Sequence, residues 1–562
     1  MEYRKDDKLV VEITDIGIDG EGIGKIDGYT LFVKDALPGD KVRIKIMKAK
    51  KNYAYGHLEE IIEASPDRVK PPCPIARQCG GCQLQAISYE RQLKYKNDKV
   101  KNNLIRIGGF DEKLIEKITE PICGMDNPYR YRNKAQYPIR YDKNGELTAG
   151  FYAGRTHSVI SCSDCVLGAE ENKEILERIL DWMRAFHIRP YDESKGTGLV
   201  RHVLIRKGFA TGQLMVCLVI NGEKFVHREE LVNVLAEVKG MTSISYSLNT
   251  SRDNVIMGDN YHTIYGKDTI EDFIGDLKFS ISPLSFYQVN PAQTEKMYGK
   301  ALEYAALTGN EAVWDLYCGI GTISLFLAAK AKCVYGVEII PQAIDDAREN
   351  AKINGIENAA FFVGKAEEVL PKFYEKGEET SIDDADMKHP NVIVVDPPRK
   401  GCDSLCLDTM LLMKPERIVY VSCDSATLAR DLKYLHEGGY ELRAVRAFDN
   451  FPQTTHVETV VLLSKGVVDK DNFRKVKVDF SLEDMDLTEL RGKATYAQVK
   501  EYILNEFGLK VSSLYIAQVK KKCGIETGEN HNLPKSEDAR QPQVTPEKEE
   551  AIMKAFKHFG VI

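Results

Sequence analysis

Between residues 281 and 465 the chain alternates short apolar runs with longer amphipathic ones, and this alternation constrains the fold more than any other feature. Strand-like runs separated by helix-like ones commit a chain to a mainly parallel sheet with helices on its faces. The predicted fold class is therefore α/β, with a Rossmann-like domain in this stretch. In such sheets ligands gather beyond the carboxyl ends of the strands. The residues that follow each apolar run are thus the first candidates for chemistry.

The first run, in AVWDLYCGIGTISLFLAAKA, leads through Asp315 into a turn with Gly319 and Gly321 and then into an apolar helix. Glycines there let a backbone approach a ligand closely. Ser324 stands where a dinucleotide fingerprint would carry its third glycine. The next run, CVYGVEII, ends in Glu338, an acid suited to both ribose hydroxyls, and Pro341 opens the following helix. This pattern fits S-adenosylmethionine better than a nicotinamide dinucleotide. FFVGKAEEVL is the third strand and brings the backbone at Ala366 near the adenine. NVIVVDPPRKG ends in the rigid Asp396-Pro397-Pro398, which taken alone also suits methylation of an exocyclic amine.

The fifth strand narrows the chemistry. In RIVYVSCDSATLARDL, Cys423 ends a strand and precedes a helix, where the helix dipole lowers a thiol pKa. In FDNFPQTTHVETVVLLS, His456 and Glu458 share one side of a last strand by two-residue alternation. A glutamate inside an apolar strand is costly unless paired or functional. A methyl donor, a thiolate and a base together suit carbon methylation of uracil. Thiolate addition at C6 makes C5 nucleophilic, and a base then removes the C5 proton. Amine methylation would need no cysteine.

Three further segments flank this domain. Residues 1–65 hold about five short strands with glycine turns, a small barrel. Lys41, Arg43, Lys45, Lys48, Lys50 and Lys51 follow one another without an acid, with Tyr53 and Tyr55 beside them. Such a run attracts phosphate, or else forms a solvated strand face. Residues 66–280 carry Cys73, Cys79 and Cys82 in PPCPIARQCGGCQLQ and Cys165 far downstream. Four thiolates suit an iron–sulfur cluster, while Cys79 and Cys82 with Cys162 and Cys165 make a zinc pattern. In YRYRNKAQYPIRY, Arg130, Arg132, Lys134 and Arg140 alternate with tyrosines, which suits looped RNA. Arg201, His202, Arg206 and Lys207 form a second, weaker basic stretch. Residues 466–562 read as two helices around a turn at Gly508, capped by Thr495 and by Ser512 or Ser513, followed by a polar, extended stretch at 531–550. Residues 376–390 read as an exposed acidic loop.

The motifs DLYCGIGT, DPPRKG, VSCD and THVET resemble those of the uracil-C5 RNA methyltransferases. The barrel resembles a TRAM domain. The cysteine stretch resembles the iron–sulfur motif of the bacterial 23S ribosomal-RNA enzymes of the RlmD/RumA group. The resemblance spans about residues 5–465. It implies a TRAM/OB-like barrel, a central α+β domain holding a [4Fe–4S] cluster, and a methyltransferase domain, with a small helical extension outside it. It implies Cys423 as nucleophile and Glu458 as base. Gln288, Tyr317, Glu338 and Asp396 become cofactor contacts, Phe286 stacks at the target uracil, and Cys73, Cys79, Cys82 and Cys165 become cluster ligands. Arg130, Arg132 and Lys134 are the RNA contacts expected from the basic stretch. Tyr317 and Thr322 depart from the family, some members of which carry phenylalanine and asparagine there.

Composition adds limits. The net charge is −7, so an RNA surface must be local. The chain has no apolar run long enough to span a membrane, and MEYRKDDKLV lacks a signal-peptide core. The expected setting is the cytoplasm, where thirteen cysteines are thiols, ligands or nucleophiles rather than a disulfide framework. The expected substrate is 23S ribosomal RNA, bound by a monomer without a protein partner. The same chemistry on the T-loop of transfer RNA, amine methylation, and a non-catalytic RNA-binding factor are the alternatives.

Overall fold

The computed structural model describes residues 3–154, 156–222, 224–376 and 389–466, and in the C-terminal segment 496–507, 509, 511, 513–523, 544 and 546–558. Two compact units divide the chain, Met1–Val467 and Val468–Ile562.

The first unit begins with a closed barrel of five strands, Lys8–Ile16, Gly22–Ile26, Tyr29–Val33, Lys41–Ala49 and Tyr53–Glu63. Alternation sends Val42, Ile44 and Ile46 inward against Val11, Ile13, Leu31 and Val33. The basic residues between them point outward, as expected, but they meet acids. Lys41 pairs with Glu63 at 3.0 Å, Lys45 with Asp6 at 2.9 Å, and Arg43 with Glu60. This corrects the reading of an acid-free phosphate surface for these three positions. Two of the acids come from the neighbouring strand, whose register no local window shows.

A seven-stranded sheet follows, in the order Tyr261–Gly266, Met241–Leu248, Leu214–Ile220, Val200–Lys207, Lys134–Tyr141, Leu147–Tyr152 and Val159–Ser161. The helices Glu171–Ala185 and Arg228–Ala236 contribute Ile175, Ile179, Trp182, Leu231 and Leu235 to its core. The strand Val200–Lys207 is buried almost throughout, so Arg201 and Arg206 are interior cations rather than an RNA surface. Arg201 spends its guanidinium on the carbonyls of Asn249 and Ser251, at 2.7 Å each.

The third sheet has eight strands: Ala359–Val363, Cys333–Glu338, Ala312–Leu316, Val392–Val395, Arg417–Ser422, Glu458–Lys465, Tyr440–Phe448 and Thr119–Cys123. The first five are parallel, as their unbroken apolar runs require. The chain order reverses between Ala312–Leu316 and Val392–Val395, so the ends of these two strands flank the topological switch point. Glu458–Lys465 then enters antiparallel beside Arg417–Ser422. The outermost strand, Thr119–Cys123, comes from the 66–280 stretch and pairs parallel with Tyr440–Phe448. Helix Tyr89–Arg106 of the same stretch sends Val100 and Leu104 into the core that holds Trp314 and Tyr420. Part of the central segment thus completes the catalytic sheet.

In the second unit, helices Tyr496–Phe507, Ser513–Lys522 and Pro546–His558 surround Val499, Ile503, Ile516, Val519, Ile552 and Phe556. The third helix begins inside the stretch read as extended. Ala551, Ile552, Ala555 and Phe556 give it an apolar face that the polar residues before them conceal. The acidic loop lies outside the described residues at 377–388, as do the Gly508 turn and the caps Thr495 and Ser512. No helix among the described residues is long and apolar enough to cross a membrane.

Trp314 is fully buried at the centre of the eight-stranded sheet, with Tyr335, Phe362 and Phe373 against its ring. Trp314→Ala should lower the unfolding free energy by about 3–5 kcal/mol, the usual cost of emptying an aromatic site. Urea unfolding followed by circular dichroism measures this. A loss under about 1 kcal/mol would show that the ring does not carry the core.

Candidate active site

Asp315 closes the strand Ala312–Leu316 and is fully buried. Ser324 donates to its Oδ2 at 2.5 Å, while Oδ1 meets no partner among the described residues. Ser324 therefore has a task of its own, tying the helix after the turn back to the strand. Burial pushes the Asp315 carboxyl up to about 7, and Asp396 and Glu338 add to this. The turn needs left-handed backbone at Tyr317, Gly319 and Gly321, with φ of 69°, 54° and 83°. A Cβ on Gly319 would meet no protein atom, whereas one on Gly321 would press on Phe361 and Ala347 at 3.2 Å. One glycine faces open space for a ligand and the other allows close packing.

The amides of Tyr317 and Cys318 both donate to the Val337 carbonyl at 3.0 Å, which joins this turn to the next strand. That strand ends in Glu338, whose Oε1 accepts from the Ile340 amide at 3.1 Å. Ile339, Ile340 and Val363 are exposed around it and form an apolar rim. Asp396 follows the strand Val392–Val395 and is half-buried, and desolvation raises its carboxyl to about 7. Tyr317, Glu338 and Asp396 thus stand at the carboxyl ends of three adjacent strands. Gln288 approaches from the segment before helix Pro291–Ala305, buried, with its carbonyl accepting from Asn133 at 2.9 Å.

Cys423 directly follows the strand Arg417–Ser422. Asp424 caps the next helix, Ser425–Glu437, accepting from the amides of Ala426 and Thr427 at 2.9 and 3.0 Å. Ser422 pairs with Thr459 in the antiparallel ladder, so the next position in register sets Cys423 opposite Glu458. Directly opposed residues share a face. Glu458 is 3% exposed. The expected low thiol pKa is not what this environment produces. Burial pushes the Cys423 thiol up to about 12, Glu458 and Asp396 push the same way, and Arg399 and a backbone hydrogen bond oppose them. Burial and Asp396 likewise hold Glu458 well above the carboxylate range, again against Arg399. The Cys423 thiol is neutral at rest near pH 7. Burial, with Glu458 and Asp396 behind it, outweighs the helix terminus. His456 is also neutral, its ring pushed down to about 4 by burial and by Arg399, Lys99 and Lys96.

Arg399 is a site residue that the spacing of motifs did not single out. The signal was present in Asp-Pro-Pro-Arg, where a rigid turn delivers a cation to the strand tips. With Cys423, Asp424 and His456 it lines one end of a cleft of about 1430 Å³. The other walls are barrel residues, among them Lys34 and Tyr55, and the loop carrying Cys79 and Cys82. Phe286 is 69% exposed, although Ser285 and Tyr287 on either side are buried. The guanidinium of Arg206 donates to the Ser285 carbonyl and fixes this loop.

The thiols of Cys73, Cys79, Cys82 and Cys165 lie near enough for every pair to interact electrostatically, and Cys162 interacts with Cys73, Cys79 and Cys165. They are free thiols, and among the described residues no three His, Cys, Asp or Glu side chains stand in metal-holding geometry. Arg130 donates to Asp164 at 2.6 Å and to the Cys165 carbonyl at 2.9 Å, so it pins the cysteine loop. Arg140 pairs with Glu193, and Tyr131 and Tyr137 are buried. Arg132 and Lys134 have no ion pair among the described residues. Burial, then Arg206 and Arg132, push the Lys134 ammonium down to about 7. The basic row thus divides into Arg130 and Arg140, which are spent on structure, Arg132, which keeps its charge, and Lys134, which is only partly protonated near pH 7.

A thiol at about 12 is protonated below that pH, so its thiolate fraction grows about tenfold per pH unit. Alkylation of Cys423 by iodoacetamide should keep rising from pH 7 to 10, without a plateau near 8.5. Arg399→Gln should slow it several-fold at pH 8. Mass spectrometry of the peptide reads both, and a plateau below pH 9 would refute this electrostatic account.

Comparison with known proteins agrees with the geometry. The family described as tRNA (Uracil-5-)-methyltransferase matches residues 261–466, and the TRAM domain matches residues 7–58. An uncharacterized RNA methyltransferase of Halalkalibacterium halodurans is 49% identical over 460 residues, 82% of this chain and 97% of that one. One of Clostridium acetobutylicum is 50% identical over 468 residues, 83% and 98% of the two chains. The crystal structure of Pyrococcus abyssi tRNA (uracil-54, C5)-methyltransferase in complex with S-adenosyl-L-homocysteine superimposes with a TM-score of 0.63 at 26% identity, over 81% of this chain and all of that one. A carboxyl-end cradle, a half-buried thiol beside a buried acid, a TRAM barrel and relatives matched over nearly their whole length lead to one assignment: the chain belongs to the S-adenosylmethionine-dependent RNA (uracil-5-)-methyltransferases.

Proposed function

We propose that the protein methylates C5 of a uracil in 23S ribosomal RNA, with Cys423 as nucleophile and Glu458 as base. The observation that carries this is the placement of Cys423 opposite Glu458 on adjacent antiparallel strands, beside Asp396 and at the end of the cleft. S-adenosylmethionine supplies the methyl group when bound, and the open space at Gly319, the unpartnered Asp315 Oδ1 and the row Tyr317, Glu338 and Asp396 with Gln288 suit it.

The residues divide the work. A paired uracil is out of reach and must leave its stack. The exposed ring of Phe286 offers a stacking surface. Arg132 and Lys134 offer charge to RNA phosphates, with Arg130 holding the neighbouring loop. The Cys423 thiol gives its proton to water in the open cleft as Sγ bonds to C6, the C5–C6 π pair moves toward C5 and the C4 carbonyl oxygen, and Arg399 offsets the negative charge that develops. C5 gains the nucleophilicity that uracil lacks. Once C5 carries both its proton and the new methyl group, the Glu458 carboxylate takes the proton. The C5–C6 double bond re-forms and the C6–S bond breaks, returning the thiolate. A carboxyl held above its usual range is a strong base once ionised.

Cys73, Cys79, Cys82 and Cys165 are proposed as the ligands of a [4Fe–4S] cluster. Their soft thiolate donors fit such a group and their mutual proximity supports it, although the geometry described does not preform a site. Zinc on Cys79, Cys82, Cys162 and Cys165 is the second reading. No step depends on either. The enzyme is proposed to act in the cytoplasm as a monomer, without a protein partner. The choice of ribosomal RNA rests on the family resemblance. Transfer RNA is the second substrate reading, favoured by a solved transfer-RNA enzyme that aligns with 81% of this chain, well beyond the catalytic segment.

Incubation with methyl-labelled cofactor and unmodified RNAs, then nucleoside digestion, tests the proposal. The expected product is 5-methyluridine from ribosomal RNA. The same nucleoside from transfer RNA alone would move the substrate, and methyladenosine or no label would sink the chemistry. Cys423→Ala should abolish methylation. Glu458→Gln should trap an RNA–protein adduct that survives a denaturing gel. Protein purified without oxygen should be brown and contain iron and sulfide. A colourless protein with zinc would select the second metal reading.

A further inference from the structure

The segment from Asp449 to Val457 delivers Glu458, yet it has no regular secondary structure. Its shape is set by groups from outside the segment. The carbonyl of Asp449 accepts from Gln293 at 3.3 Å, that of Asn450 from Asn290 at 3.1 Å, and that of Pro452 from Tyr131 at 3.0 Å. The Gln453 carbonyl accepts from the amides of Gln83 and Leu84, both at 3.0 Å, and Gln453 itself adopts φ of 69°. The remaining contacts come largely from one helix.

Along Tyr89–Arg106, residues 89, 92, 96, 99 and 103 follow a three-and-four spacing, which places them on one helix face. All five are polar, and each binds a catalytic segment. Tyr89 donates its hydroxyl to Asp449 Oδ2 at 2.8 Å. Gln92 donates to Gln453 Oε1 at 2.9 Å and accepts from the Gln453 amide at 3.1 Å. Lys96 forms an ion pair with Asp449, with both side chains wholly inaccessible, and donates to the Phe451 carbonyl at 2.9 Å. Lys99 donates to the Thr455 carbonyl at 2.9 Å. Asn103 reaches the other strand tip and donates to Ser425 Oγ at 2.8 Å, two residues beyond Cys423. Gln92 and Lys96 are buried and the other three are half-buried, and such a row is costly unless its groups are paired. Each group is paired with one of the two segments read as carrying nucleophile and base, and Gln92 and Tyr89 also bond Leu84, Ile87 and Met125.

We infer that the stripe Tyr89, Gln92, Lys96, Lys99 and Asn103 is a positioning element for the methyl-transfer reaction, holding the Glu458 segment at a fixed place relative to Cys423. The inference rests on the reading of Glu458 as the base. The hydrogen bonds of all five go to loops, and Lys99 and Asn103 also line the cleft, so Tyr89, Gln92 and Lys96 are the purely positioning members of the row. Their chief effect falls on the last step, where the Glu458 carboxylate must reach the C5 proton. A misplacement of about 1 Å can cost orders of magnitude in rate.

Lys96→Met alone would leave Asp449 charged and unpaired in the interior, and the chain could fail to fold. The double variant Lys96→Met/Asp449→Asn removes both charges and keeps an acceptor for Tyr89. It is to be compared, as full-length protein, with the unsubstituted enzyme and with Glu458→Gln. Thermal unfolding, kcat and KM for RNA, and the fraction of enzyme held as RNA adduct are measured. The expected result is a folded double variant whose kcat falls about tenfold or more with KM little changed. Its adduct fraction should rise toward that of Glu458→Gln, because proton removal has become slow. Unchanged turnover and adduct level would overturn the inference. Slow turnover without adduct, while Glu458→Gln does trap one, would also overturn it, since the stripe would then support only the fold. Ordinary turnover by Glu458→Gln would remove the base from the reading, and this inference with it.

Discussion

One thiol and two carboxyl groups, half-buried Cys423 and Asp396 and buried Glu458, crowd together at the tips of three adjacent strands, and the rest of the site answers to that crowding. Neighbouring like charges cannot all ionise, so the thiol rests protonated. This resting state suits a covalent mechanism. A permanently ionised thiolate would react with any electrophile in the cell, whereas a neutral thiol becomes a nucleophile only when substrate and cation share the cleft. Arg399 is the group that opposes the crowding at both Cys423 and Glu458. Its position after two prolines fixes it where the charge develops.

The same crowding costs stability. The carboxyls of Asp315 and Asp396 have folded values near 7, above the ordinary value of 3.8. A carboxyl raised in the folded state favours folding fully below its unfolded pKa, and that contribution is lost as pH rises through the folded value. The contribution of these two groups is therefore lost progressively between about pH 4 and pH 7 and is absent above that. The apolar strands around them compensate. Ile393, Val395, Ile418 and Tyr420 are fully buried, and the aromatic cluster on Trp314 lies in the same core.

Much of this arrangement was legible in the sequence, because strand tips are local. Asp315, Glu338, Asp396 and Cys423 each end an apolar run, and the parallel sheet places such ends along one edge. What was illegible depends on pairing between distant segments. Lys41, Arg43 and Lys45 looked unopposed because Glu63, Glu60 and Asp6 are not their sequence neighbours. Arg130 looked free because Asp164 stands 34 residues away. The thiol looked acidic because the helix dipole is a local feature, while Glu458 and Asp396 arrive on other strands.

The path of helix Tyr89–Arg106 shows why catalytic geometry here cannot belong to the methyltransferase segment alone. A strand end can fix Cys423, since its ladder and helix cap are both local. Glu458 begins its strand after nine residues without secondary structure, and a loop of that length fixes nothing by its own backbone. Precision must then be imported. It comes from side chains of the central segment, which also supplies the edge strand Thr119–Cys123 and the cysteine loop whose Gln83 and Leu84 amides bind Gln453. The cysteine loop and the Glu458 segment are therefore joined by direct hydrogen bonds through Gln453, and one helix face ties the same segment to the residues beyond Cys423.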